Sequence, residues 1–299
     1  MHQRPGRSTE LLLLLLLATL WGASYSFIRV AVETLPPLAL MAARTAIAAV
    51  LLVAFMRWRG LQLPRDRARW RQFAVQAVLN SVLPFTLLAW AQQEVEAGLA
   101  AILNSCAPLF VFLGTWAITR HERVTWPKLL GVVVGLAGTG LVIGTEALRG
   151  AGDRLLPQLA IVLATVCYAG AAIYGRHFQG LHPAAPAAGS LLCGAIVLVP
   201  ISLVVDRPWT LVPSGASLLA LLGLAVFSTS LALVIYFRLV ATLGSVATTA
   251  QAYLRVPIGV GIGVLFLGES MAPTAWLGML CVMVGVAAMS MRTRPVRPR

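Results

Sequence analysis

Residues 97-AGLAAILNSCAPLFVFLGTWAITRHERVTWPKLLGVVVGLAGTGLVI-143 decide the fold, because a version of them returns as 245-SVATTAQAYLRVPIGVGIGVLFLGESMAPTAWLGMLCVMVGVAAMS-290. The first stretch is apolar from Ala97 to Thr119, with Asn104 and Pro108 inside. It breaks at the basic knot Arg120-His121-Glu122-Arg123 and resumes with Gly131, Gly135, Gly138 and Gly140. The second is apolar from Ser245 to Leu267, with Gln251, Arg255 and Pro257 inside, and breaks at Gly268-Glu269-Ser270 before Gly278 and Gly285. A shift of 147 positions lays Glu122 on Glu269, Leu130 on Leu277, Gly131 on Gly278 and Gly138 on Gly285; the two prolines align across a two-residue gap. The recurring order of proline, glutamate, glycine and glycine marks an internal duplication.

Composition sets the solvent in which that duplication folds. A soluble chain carries about a quarter charged residues, whereas this one has 11% against 59% hydrophobic, with a mean hydropathy of +0.86. Apolar residues at that density, spread along 299 residues, predict an all-α polytopic membrane protein. Cys106, Cys167, Cys193 and Cys281 sit inside apolar runs without metal-ligand spacing, so they read as small core residues. The net charge of +13 does not point to nucleic acid. Its basic residues lie between apolar runs, where they set orientation and meet anionic headgroups of the lipid bilayer.

The basic start Met1 to Arg7 and the seven leucines from Leu11 resemble a signal peptide. The apolar run continues to Val32 without an A-x-A site, so it reads as a retained first helix. Further spans are expected at 36–56, 73–93, 97–119, 126–146, 156–178, 183–205, 216–240, 245–267 and 273–291, ten in all. Polar connections are expected at Arg57 to Arg71, Thr145 to Leu155 and Asp206 to Ser217. With the N-terminus inside, seventeen Lys and Arg fall in cytoplasmic segments and three (Arg149, Arg154 and Arg207) in outer loops. Arg29, Arg44 and Arg255 remain inside spans. This asymmetry predicts cytoplasmic termini in a bacterial inner membrane. Five spans per half make the halves, 1–150 and 151–299, inverted repeats: Arg29 aligns with Arg176 at the same shift but near the opposite face.

Ten helices in two five-helix repeats, Trp21-Gly22 in the first span, Arg44 in the second, and the Pro108, Glu122, Gly131 series echoed at Pro257, Glu269, Gly278 together resemble the EamA-type carriers of the drug/metabolite transporter superfamily. The bacterial YddG-type amino-acid exporters are among the nearer comparisons. The resemblance implies an exporter of small metabolites and covers essentially the whole chain. The second half departs from it with Tyr168-Ala169 where the first has Trp21-Gly22.

Polar groups in the hydrocarbon usually face the bundle interior, so they outline a cavity. Trp21, Tyr25 and Arg29 recur on one face of the first span, with Ser24 beside them. Asn80 and Pro84 share a face, as do Asn104 and Pro108; Ser228 and Tyr236 follow, then Thr248, Gln251 and Arg255 at i, i+3 and i+7. The expected substrate-binding set is therefore Trp21, Ser24, Tyr25, Asn80, Asn104, Ser228, Tyr236, Thr248, Gln251 and Arg255. Each has a structural alternative: core packing for Trp21 and Tyr25, interhelical hydrogen bonding for Asn80, Asn104 and Gln251. Pro108 and Pro257 read as hinges, the glycines as close-packing positions, and Glu122 and Glu269 as structural groups bonding backbone or a neighbouring helix.

No catalytic constellation, metal site or cofactor is expected. His2, His121, His177 and His182 all fall on the expected cytoplasmic side, and no phosphate-binding glycine loop exists. The expected partners are a small-molecule substrate and the lipid bilayer, with a monomer as the working unit. The reading is a secondary transporter exporting small polar metabolites, amino acids including aromatic ones, by alternating access around a midplane cavity. No acidic residue lies near mid-span, which favours a uniporter. Two alternatives stand against it: cationic-drug efflux by proton antiport, which would want a midplane carboxylate, and an intramembrane enzyme or lipid-handling protein, which would want convergent catalytic groups.

Overall fold

The computed structural model describes residues 7–114, 126–148, 152–178, 180–182, 184–243 and 251–290, and these are helices joined by short turns. The helices are α1 (Arg7–Ala31), α2 (Pro37–Trp58), α3 (Arg67–Ala91), α4 (Ala97–Gly114), α5 (Trp126–Leu148) and α6 (Gly152–Tyr174). They continue as α7 (Ala184–Val205), α8 (residues 215–243), α9 (Gln251–Leu267) and α10 (Pro273–Ser290). Seven helices among the described residues are long and apolar enough to cross a membrane; shorter apolar stretches run Leu129–Thr139, Leu254–Leu267 and Pro273–Gly285. Large apolar side chains face outward, among them Val204, Leu265 and Phe266, each more than three-quarters exposed. A surface of that kind is at home in lipid and not in water.

Two expected polar connections are shorter than the sequence suggests. Arg67, Arg69 and Arg71 belong to α3, not to the loop before it. The reason is Asp66, whose side chain accepts from the Ala68 amide at 3.2 Å and starts the helix early. On the other side α2 runs to Trp58 and closes on Gly60 at φ 69°, with the Leu61 amide reaching back to the Met56 carbonyl. Likewise α5 extends to Leu148 and α6 starts at Gly152, so the expected Thr145–Leu155 loop is largely helix.

Two helices contain π-helical turns, at Val78–Val82 in α3 and Val226–Leu231 in α8. They lie in the third and the eighth helix. α4 is also interrupted: Ala97–Asn104 and Ala107–Gly114 are separate helical pieces, parted at Ser105 and Cys106. Pro108 has no amide hydrogen for the Asn104 carbonyl, which accounts for a break here. α9, by contrast, runs through Pro257 without interruption.

Helix pairings come in reciprocal sets. α1 packs on α9 as α4 packs on α6; α3 packs on α6 as α1 packs on α8; α3 packs on α7 as α2 packs on α8. α2 pairs with α7, and α5 lies along α10 more extensively than any other pair. Glycines allow the closest approach. A Cβ added at Gly285 would lie 2.5 Å from the Gly131 carbonyl oxygen, and one at Gly138 would lie 2.8 Å from that of Gly278. The backbones of α5 and α10 therefore touch where a side chain would hold them apart.

Candidate functional site

α1 meets α9 at Gly22, where an added Cβ would come within 3.1 Å of the Arg255 carbonyl oxygen and 3.2 Å of the Gly259 nitrogen. This crossing carries Tyr25, one turn further along α1, into the bundle, where it is buried. There the Asn104 side-chain amide donates to the Tyr25 hydroxyl at 2.5 Å. The Thr165 hydroxyl of α6 lies 3.0 Å from Asn104 Oδ1 and 2.8 Å from the Ile161 carbonyl of its own helix. Tyr25, Asn104 and Thr165 thus form a buried chain through α1, α4 and α6, joining both halves.

A second cluster surrounds Arg44 of α2, only 6% exposed. Its Nε donates to Thr229 Oγ1 at 2.9 Å. The π turn of α8 makes this bond available: Thr229 and Ser230 turn their hydroxyls back to the Leu224 and Ala225 carbonyls, five residues earlier. Thr229 then has a lone pair left for the guanidinium. Phe85, just beyond the π turn of α3, lies under the guanidinium carbon with its ring centroid 3.7 Å away, a cation–π contact. Among the described residues Nη1 reaches only the Met41 sulfur, at 3.7 Å. Tyr168 of α6 packs against two hydrophobic clusters, one holding Met41 and Phe85 and the other Tyr25 and Val256.

The expected site residues distribute as follows. Tyr25 and Asn104 are bonded to each other. Trp21 and Tyr236 pack ring against ring, centroids 5.5 Å apart, between α1 and α8. The Ser24 hydroxyl turns back to the Trp21 carbonyl at 2.7 Å and satisfies itself within α1. Ser228 is buried in the π turn of α8, its hydroxyl without a hydrogen-bond partner among the described residues. Asn80 is half-buried in the matching turn of α3. Among the described residues, buried Gln251 has no partner for its Oε1, and one turn on, half-buried Arg255 has none for its buried Nε. Thr248, Glu122 and the Arg120-to-Arg123 knot lie outside the described residues. Sequence reasoning left out Thr165, Tyr168 and Thr229, and it noted Arg44 without placing it in the site. Threonines in apolar helices give no signal of their own. Arg44 did: it is a charge inside a span.

Among the described residues, acidic side chains sit at helix ends or in turns, and no group of three or more His, Cys, Asp or Glu side chains is placed to hold a metal ion. At the end carrying the turns after α1 and α3, Arg29 Nη1 donates to the Gln92 and Gln93 carbonyls at 2.7 Å each, while Gln92 Nε2 donates to the Tyr25 carbonyl. At the same end Glu269 accepts from the Ala97 and Gly98 amides at 2.6 and 2.9 Å.

The profile of the EamA-like transporter family matches residues 8–144 and again residues 155–291. The inner membrane transporter YedA of Escherichia coli (strain K12) is 27% identical over 276 residues, covering 91% of this chain and 87% of YedA. A protein of Streptantibioticus cattleyicolor named a probable terminal-alkyne amino-acid exporter is 25% identical over 285 residues, covering 94% of this chain and 93% of its own. A solved crystal structure superposes with a TM-score of 0.67 at 18% identity, covering 95% of this chain and 98% of its own; it speaks for the fold alone.

Proposed function

The chain belongs to the EamA-like transporter family, and from that premise we propose that it is a secondary transporter exporting amino acids and similar small polar metabolites from the bacterial cytoplasm. Transport follows alternating access around the cluster of Tyr25, Asn104, Thr165, Arg44 and Arg255, between two inverted five-helix repeats spanning 1–150 and 151–299. Both termini are cytoplasmic. The reciprocal helix pairings and the matched π turns support the repeats, since an exchange of halves that preserves packing lets one half rock against the other.

One observation carries the substrate reading. Buried Arg44 meets only the Thr229 hydroxyl and the Met41 sulfur among the described residues, half-buried Arg255 has a buried Nε with no partner among them, and neither forms an ion pair with a described acidic side chain. Holding such groups in the membrane costs about 2.5–3.5 kcal/mol each even by the lowest scales. A substrate carboxylate would offset that cost through bidentate hydrogen bonds. The amino-acid exporter among the relatives is consistent with this chemistry.

A panel of amino acids, counterflowed through proteoliposomes containing only this protein, tests the reading; no movement of any of them overturns it. The same liposomes test coupling. With no carboxylate or histidine at mid-span to carry a proton, the protein works as a uniporter driven by the substrate gradient. Uphill accumulation under an imposed pH gradient, abolished by a protonophore, would sink that part.

A further inference from the structure

We infer that the substrate is net anionic, a dicarboxylate or an acidic amino acid whose two carboxylates are held by Arg44 of the first half and Arg255 of the second. The inference rests on the transport reading above and narrows its substrate class.

Arg44 is built as a receptor rather than as a filled structural group. Of the five N–H groups on a guanidinium, one meets Thr229 and one faces the Met41 sulfur, a weak acceptor. The remaining three have no acceptor among the described residues. Half-buried Arg29, by comparison, places Nη1 on two strong acceptors, the Gln92 and Gln93 carbonyls. Arg44 is instead fixed from one edge by Thr229 and from one face by Phe85. That fixes the plane of the guanidinium and leaves Nη2 and one hydrogen of Nη1 for a carboxylate, the geometry of a bidentate pair. Arg255, on α9, brings a buried Nε with no partner among the described residues, and Tyr168 packs both on the cluster holding Met41 and Phe85, beside Arg44, and on the cluster holding Tyr25 and Val256, next to Arg255.

Charge balance chooses between substrate classes. A zwitterion neutralises neither guanidinium overall, because its ammonium arrives with its carboxylate. That ammonium would also stand near two positive charges with no acidic side chain among the described residues to receive it. A monocarboxylate balances one charge and leaves the other unbalanced. A dicarboxylate balances both. An acidic amino acid balances one net charge, and Gln251 Oε1, one turn from Arg255 and unpaired among the described residues, offers an acceptor for its ammonium. In low dielectric these differences are larger than those made by side-chain fit.

The test is uptake of labelled succinate, glutamate, acetate and phenylalanine into proteoliposomes holding the full chain, with and without an imposed inside-positive potential. Succinate and glutamate are expected to enter at least tenfold faster than phenylalanine, and the potential is expected to drive their accumulation. Arg44→Gln is expected to cost succinate about 10- to 100-fold, the loss of charge-assisted hydrogen bonds, and acetate much less. Should that variant fail to fold, the potential dependence of the unaltered protein still decides. Phenylalanine moving as fast as glutamate, or succinate uptake indifferent to the potential, overturns the inference and leaves the transport reading standing. Movement of no solute in the panel overturns both.

Discussion

Glu269 holds the first turn of α4 at Gly98, 171 residues away in the sequence. Its carboxylate accepts from the Ala97 and Gly98 amides, and a Cβ at Gly98 would stand only 3.2 Å from Oε2. Gly268, in the left-handed conformation at φ 65°, turns the chain after α9 so that Glu269 points back at α4. The acid satisfies two amides that a helix start leaves open and places negative charge at the positive end of the helix. It has the structural role expected of it, and its partner comes from the other half of the chain.

Glu269→Gln keeps one acceptor oxygen and loses the charge. The expected cost is about 1 kcal/mol, read as a melting temperature in detergent lowered by a few degrees. An unchanged melting curve would mean that water replaces the cap without loss.

Gly285→Ala should be far more damaging than its chemistry suggests. The new Cβ would meet the Gly131 carbonyl and the Gly135 nitrogen at 2.5 and 2.7 Å, so α10 must move off α5; overpacking of this kind costs about 1–3 kcal/mol. Gly261→Ala, with nothing within 4 Å of its Cβ, is the control. Equal yields of monodisperse protein for both variants would show that the α5–α10 contact tolerates separation.

The connection between α2 and α3 is short and basic, with Arg59 and Arg65 exposed in it. A cysteine introduced by Arg65→Cys should resist an impermeant maleimide applied to intact cells and react once the membrane is opened. Labelling from outside would reverse the orientation.

Pro108→Ala restores the amide that the Asn104 carbonyl lacks and lets α4 run on unbroken. Slower transport is expected, with insertion and melting temperature retained, because the break at Ser105 and Cys106 is where α4 can bend. Pro257→Ala in unbroken α9 should have the smaller effect. Wild-type rates in both variants would remove the hinge role.

The bilayer made much of this fold legible in the sequence. A solvent that cannot hydrogen-bond forces each crossing into about 20 apolar residues of helix, so spans show as local runs. Gly131, Gly138, Gly278 and Gly285 were readable as packing positions for the same reason: small residues in apolar helices have one common use. The site was not legible in this way. Tyr25 and Asn104 are 79 residues apart and Arg44 and Thr229 are 185 apart, and nothing in either helix announces the other. Their meeting depends on the rotation and crossing of helices, as at Gly22 and Gly259, and on π turns that re-aim Thr229 and seat Phe85 under Arg44. A π turn costs one extra residue in a helix and has no residue signature. The sequence by itself therefore determined that charges lie inside the membrane, while only the tertiary structure decided which are left unpaired, because pairing is a property of distance across helices and not of order along the chain.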